Sequence, residues 1–288
     1  MQTNSAKKAV DFHKLVGDFR LSDTSGHRVS RMLLTGKEGA PNNYKMGLGG
    51  GGESEDWTTP RHRHTFEQFR YPLSGEYVIR KDEVLPAGWV AYFPESVYYG
   101  PQIKRGDLLM LSLQFGGPSG LGYWSAAERK KATERLLAKG GKFDDGVYTW
   151  TDDKGRRHNQ DASEAVEAEA RGHDVDYPEP RYKDLVMINP AAFSWIKDKD
   201  ARGVARKNLG SFTERDARFG FVQMEKGATL QFGTERAPEV LYLKEGVLAH
   251  DNSTYDAQSA FGTEADEKPV SLTAVEPSEL VYMKLPTF

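Results

Sequence analysis

Two histidines stand one residue apart, His62 and His64, in the stretch PRHRHTFEQFRYPLSG that runs from Pro60 to Gly75. Residues i and i+2 of a β-strand point to the same face, so on a strand both imidazoles converge, as a shared ligand requires. Nitrogen and oxygen donors without sulfur suit iron, manganese, nickel, cobalt or zinc. The same pair could instead line a metal-free pocket or lie on a solvent face. The chain contains no cysteine, which excludes disulfides, thiolate catalysis and cysteine-ligated zinc or iron–sulfur centres. His13, His27, His158 and His173 have no motif around them and read as surface or packing residues.

The elements that must position this pair read mostly as strands. RVSRMLLT (28–35) and NYKMGL (43–48) precede it, and EQFRYPL, GEYVIRK, WVAYF and LLMLSLQF follow between residues 61 and 115. Strands this short and closely spaced suggest an antiparallel sandwich or barrel rather than βαβ units. The glycine run Gly49 to Gly52 resembles a phosphate loop only superficially, because no Lys-Ser/Thr and no helix pattern follow it. It reads as a flap before the histidine strand or as a surface turn. Near the N-terminus, Phe12, Leu15, Val16 and Phe19 have near-helical spacing, which suggests a short packed segment. The texture changes after residue 118. SAAERKKATERLLAKG (125–140), with Ser125 as its N-cap and a glycine behind, and the very polar DASEAVEAEARG (161–172), ending at Gly172, predict two helices. VYTW-TDDKG-RRHN between them reads as an exposed hairpin, and YPEPRY (177–182) as a proline-rich joint.

At 288 residues the chain is long enough for two domains. A net charge of −3 with both signs interspersed argues against a general nucleic-acid binder and against a polybasic membrane anchor. No apolar run approaches the roughly 18 residues a membrane helix needs. The first residues carry no secretory pattern. The expectation is a soluble, cytoplasmic protein, associating as a homodimer and acting on a small molecule.

The pattern His62-x-His64, three residues, Gln68, six residues, Gly75, followed by Gly88, five residues, Pro94, resembles the two signature motifs of the cupin superfamily. Cupins are jelly-roll β-barrels with a site inside the barrel. The resemblance implies that His62, His64 and Gln68 hold one divalent metal, with Gln68 in place of the usual glutamate. Tyr99 stands in place of the usual third histidine, as a ligand or a proton carrier, and Ser96 replaces the usual glycine. Arg70 shares the strand parity of Gln68 and should point inward, where it could clamp a substrate carboxylate or enolate. It could equally be a rim residue paired with Glu67 or Glu76. Glu67, of opposite parity, belongs outside the barrel. Two imidazoles, an amide and a protonated tyrosine would leave a divalent ion short of negative charge, hence a strong Lewis acid that prefers an anionic ligand. Only one of the adjacent Tyr98 and Tyr99 can reach the interior, and the motif register selects Tyr99.

The strand texture returns after residue 196, and its spacing repeats. Glu239 and Gly246 are seven apart, like Gln68 and Gly75, and LVYMKLP (280–286) echoes LLMLSLQ (108–114). The second copy has Gly233 and Glu235 in place of the two histidines, and His250 fills no ligand position. The expected fold is therefore mainly β: two tandem cupin-type jelly-roll barrels with a helical connector. The expected boundaries are an N-terminal segment 1–25, a first domain 26–118, a connector 119–195 and a degenerate second domain 196–288. The resemblance implies a metal-dependent enzyme using Lewis-acid and general acid–base chemistry on a small anionic substrate, of lyase, isomerase, cyclase or hydrolase type. The alternatives are an iron or copper dioxygenase, and a non-enzymatic barrel that binds a small molecule.

Overall fold

The computed structural model describes residues 8–10, 20–23, 26–50, 56–124 and 126–288. They form two compact units, one of residues 18–32 and 37–188, the other of residues 1–17, 33–36 and 189–288. The segment around Phe12, Leu15, Val16 and Phe19 lies outside the described residues, as do Gly51 and Gly52 of the glycine run.

In the first unit the seven-stranded sheet runs in the order Val186–Ile188, Val90–Phe93, Glu67–Ser74, Leu109–Phe115, Tyr44–Gly50, Gly26–Thr35, Arg20–Asp23. A four-stranded sheet runs Trp57–Thr59, Gln102–Lys104, Glu76–Arg80, Glu83–Pro86. The second unit repeats both orders. Its larger sheet runs Lys8–Val10, Ala260–Thr263, Glu239–Glu245, Ser278–Lys284, Arg218–Met224, Val204–Ser211, Ile196–Lys197. Its smaller one runs Thr229–Phe232, Val270–Ala274, Val247–His250, Ser253–Asp256. The two jelly rolls are therefore one topology used twice, each with an edge strand far away in sequence from the rest of its barrel.

The repeated glycines explain the repeated turns. Gly75 (φ +71°) and Gly246 (φ +97°) close equivalent hairpins in the left-handed region that only glycine enters freely. A Cβ on Gly75 would stand 2.8 Å from Leu108 Cα, so space as well as φ demands glycine there. Gly49 and Gly50 end a strand rather than forming a loop.

The two interiors are filled differently. Strand register lets their inner faces be read rung by rung. In the first unit one rung is Gly47, Ser112, Arg70 and Ala91, and the neighbouring pair beside it is Gly49 and Met110. The equivalent positions of the second unit are Gly220, Tyr282, Leu241 and Phe261, then Val222 and Leu280. Leu241, Phe261, Val222 and Leu280 belong to a continuous buried apolar cluster with Leu243, Leu272 and Phe232. The first barrel instead buries His62, His64, Gln68, Arg70, Gln102 and Lys104.

Residues 119–188 group in one compact unit with the first barrel, and residues 189–288 in the other. The predicted hairpin is a three-stranded sheet, Lys142–Asp144, Val147–Thr151 and Arg157–Asp161, whose Tyr148 is buried against the two helices. Helix α1 spans Ala126–Ala138 and helix α2 Ala162–Arg171, the latter capped by Asp161 and ended by Gly172 in the left-handed conformation. Among the described residues, no helix is long and apolar enough to cross a membrane.

Candidate metal and substrate site in the first barrel

A cavity of about 170 Å³ opens inside the first unit, lined among others by His62, His64, Arg70, Tyr77, Lys45 and Lys104. His62 is held by a two-sided backbone bridge with Tyr99, each N–H meeting the other's carbonyl at 2.9 Å. Its Nδ1 lies 2.7 Å from the carbonyl of Pro60. A carbonyl only accepts, so Nδ1 carries the hydrogen and a neutral His62 presents Nε2 with its lone pair. The His64 ring lies 4.9 Å from the His62 ring and stacks on Phe66 at 4.3 Å. Its Nδ1 is 3.4 Å from Ser163 Oγ. Burial, and the charges of His62, Arg129 and Arg70 after it, hold the His64 pKa well below the usual histidine value, so His64 is neutral at pH 7.

Gln68 and Tyr99 lie behind this pair. The Gln68 carbonyl oxygen accepts from Arg70 Nε (3.2 Å), Arg70 Nη2 (2.8 Å) and Gln114 Nε2 (3.0 Å), while its amide nitrogen donates to Tyr99 OH at 2.6 Å. Three N–H donors saturate that oxygen, so in this arrangement Gln68 is not a metal ligand. It is instead the hub of a buried chain that continues through Gln114 to Tyr123 (3.0 Å). Tyr99 is fully buried, and desolvation first of all raises its pKa, so it keeps its proton. Tyr98, its neighbour, is exposed, with the guanidinium of Arg61 over its ring at 4.1 Å.

Arg70 points inward and lines the cavity. Beyond Gln68 it donates through Nη1 to Tyr77 OH, and its guanidinium lies 4.6 Å over the Phe93 ring. It pairs with neither Glu67 nor Glu76. Glu67 is buried on the other face of the same strand, accepting from Tyr92 OH.

Among the described residues, four cations, Lys45, Arg70, Lys104 and Arg129, line the cavity against one carboxylate, Asp161. Arg129, Asp161 and Ser163 come from the helical insert, and sequence reading missed all three. Asp161 caps helix α2 by accepting from Glu164 N at 2.9 Å. Burial raises its pKa from 3.8 to about 6, against the opposing pull of the backbone hydrogen bonds. His62 and His64 lie not on a strand, as expected, but in the irregular segment before the strand Glu67–Ser74, where His62 makes an isolated bridge to Tyr99. The insert is fastened to this segment by Thr65 Oγ1, which donates to the buried Glu167 at 2.5 Å, and by Arg63, stacked 3.7 Å over Tyr177. The one signal in the sequence was the Asp161 cap itself, which marks a helix start without revealing what lies beside it.

No family model matches the sequence, and no curated protein matches it. Solved structures do match its fold. A candidate dioxygenase from Nostoc punctiforme aligns over 97% of this chain and 82% of its own, with a TM-score of 0.60 at 10% identity. The E162A mutant of Bacillus subtilis oxalate decarboxylase aligns over 100% and 79%, with a TM-score of 0.53 at 11% identity. Those neighbours carry the same double jelly roll. The likeness is one of fold, a double jelly roll. A third neighbour, Streptomyces albus HEPD with its substrate 2-hydroxyethylphosphonate and Fe(II) bound, aligns over 100% and 75%, with a TM-score of 0.52 at 13% identity.

In the second barrel, Gly233 and Glu235 stand where the first has His62 and His64. Glu239, the counterpart of Gln68, spends its carboxylate on the backbone N–H groups of Gly233 (3.2 Å) and Glu235 (2.7 Å), closing a turn. Among the described residues no group of three histidine or acidic side chains is placed to hold a metal. The fit to a metal ion is therefore partial: the two imidazoles suit one, and Gln68 does not.

Proposed function

We propose that the first barrel is the active site of a metal-dependent enzyme acting on a small organic anion, with the ion on His62 and His64. One observation supports this reading above the others. Two buried histidines, His64 neutral and His62 with its Nδ1 against the Pro60 carbonyl, share a cavity that among the described residues is lined by four cations and one carboxylate. Such a lining repels a free cation and attracts an anion, so an ion bound by two histidines is stabilised by an anionic co-ligand. A divalent ion there would supply Lewis acidity. The chain's own groups divide the remaining work. Arg70, fixed by Gln68 and Tyr77, orients the anion. Asp161 is poised near neutrality to take or give a proton. Tyr99 keeps its proton and steadies Gln68.

This division favours acid–base chemistry of lyase, isomerase, cyclase or hydrolase type. An oxygenase is the second reading, supported by the dioxygenase description of the Nostoc neighbour and the Fe(II) in HEPD. Elemental analysis of the purified protein beside a His62→Ala/His64→Ala double variant tests the centre. Metal bound by the native chain and lost in the variant is the expected result; a metal-free native protein of full stability overturns it. Oxygen uptake on addition of enols or catechols separates the two reaction types.

A further inference from the structure

The smaller sheet of the first barrel turns a polar row toward the cavity. Strand parity puts Gln102 and Lys104 on one face of the strand Gln102–Lys104, and both line the cavity. Gln102 is 1% exposed, and its amide nitrogen finds no hydrogen-bond partner among the described residues. A buried donor left unmatched is costly, and native structures keep few of them. The fold itself does not require an amide there. In the first barrel Lys104 lies opposite Tyr77 and Gln102 opposite Thr59. In the second, Ala274 lies opposite Leu248 and Leu272 opposite Leu230, all four in the apolar core. Counted from the hairpin glycines Gly75 and Gly246, Leu272 thus stands where Gln102 does.

Arg70 offers the other half of the contact. Its Nε and one N–H of Nη2 go to Gln68, and one N–H of Nη1 goes to Tyr77. One N–H remains on each terminal nitrogen, a pair that fits the two oxygens of a carboxylate. Tyr77, which holds Arg70, is the diagonal neighbour of Gln102 on the same sheet face, about 7–8 Å away at the backbone. The guanidinium and the unmatched amide line one cavity.

We propose that Gln102 is a specificity-determining residue: the cavity takes a small hydroxy acid, its carboxylate on Arg70 and its hydroxyl oxygen accepting from the Gln102 amide. A plain acid would match Arg70 and leave the amide buried without an acceptor, which the hydroxyl supplies. The inference rests on the reading of this cavity as the substrate site, and names the substrate class.

Calorimetric titration of the full chain with butyrate and with its 2-, 3- and 4-hydroxy derivatives, at neutral pH and low salt, tests it, because these acids differ only in one hydroxyl and its place. The best of the hydroxy acids should bind about tenfold or more tightly than butyrate. Gln102→Leu, which copies the second barrel, should bring that acid down to the level of butyrate. It should also leave the melting temperature at or above the native value, since the amide nitrogen has no protein partner to lose. Equal affinities for all the acids, no binding of any of them, or a preference that survives Gln102→Leu would overturn the assignment. A marked fall in melting temperature would overturn it as well, by making the amide a structural group. Metal content measured on the same preparations keeps the two ideas apart. A metal-free chain whose preference depends on Gln102 overturns the metalloenzyme alone, and a metal-loaded chain without the preference overturns the hydroxy acid alone.

Discussion

Asp161 and His64 face the same cavity and respond to acid in opposite directions. The Asp161 carboxyl is raised from 3.8 to about 6 by burial, so the folded protein holds its proton more tightly than the unfolded chain does. Stability is therefore lost as pH rises from about 4 through 6, at most about 3 kcal/mol. Asp161→Asn keeps an oxygen for the Glu164 N–H and removes the charge. It should raise the melting temperature at neutral pH and have little effect near pH 4, and equal effects at both pH values would refute the burial argument. His64 works the other way: its folded pKa is depressed, so stability falls as pH drops below the ordinary histidine value. Gln68 offers a sharper test. Its oxygen is filled by three N–H groups, so Gln68→Ala should retain metal while freeing Arg70, with anion affinity falling about tenfold or more. Loss of metal in that variant would restore Gln68 as a ligand. Arg70 was legible from strand parity, and the histidines and Tyr99 from motif spacing, since they stand off the strands. The saturation of Gln68 was not, because its partner Gln114 comes from a strand 46 residues away.

At the scale of elements, the turn after Pro94 carries a residue out of place. Ser96 holds φ +68°, and its buried hydroxyl finds no hydrogen-bond partner among the described residues. Glycine would occupy this conformation without a Cβ penalty, so Ser96→Gly should stabilise the first barrel by about 1 kcal/mol, read by denaturant unfolding. Its backbone N–H bonds the His64 carbonyl at 2.8 Å, which ties this turn to the histidine segment. The helical insert was visible as two capped helices, yet its destination was hidden. Helix-forming composition says where a helix starts and stops; the Thr65–Glu167 bond that docks α2 spans 102 residues. Glu167 is buried and also accepts from Arg171 at 2.9 Å. Glu167→Ala should cost about 2 kcal/mol and speed proteolysis within 119–188. Unchanged proteolysis would show that the insert is held by its apolar contacts alone.

At the scale of the whole molecule, one topology serves two interiors. The duplication was legible because hairpin glycines such as Gly75 and Gly246 must recur wherever the turn recurs. Which barrel keeps a polar interior was legible only in part. Missing histidines at Gly233 and Glu235 pointed to the first copy, but the filling of the second required the strand register that sets Tyr282 and Leu241 side by side. The proposed centre should therefore bind one metal per chain, and Glu239→Gln should destabilise the second barrel without changing metal content. A stoichiometry of two would require ligands in the second copy.

The cap of helix α2 links these scales. Asp161 closes the helix through the Glu164 N–H with the same carboxylate that faces the cavity. Any molecule that draws on this carboxylate competes with the first turn of the helix for it. The Glu164 amide is thus a built-in reporter: its hydrogen-exchange rate will register occupancy of the barrel before any substrate is known.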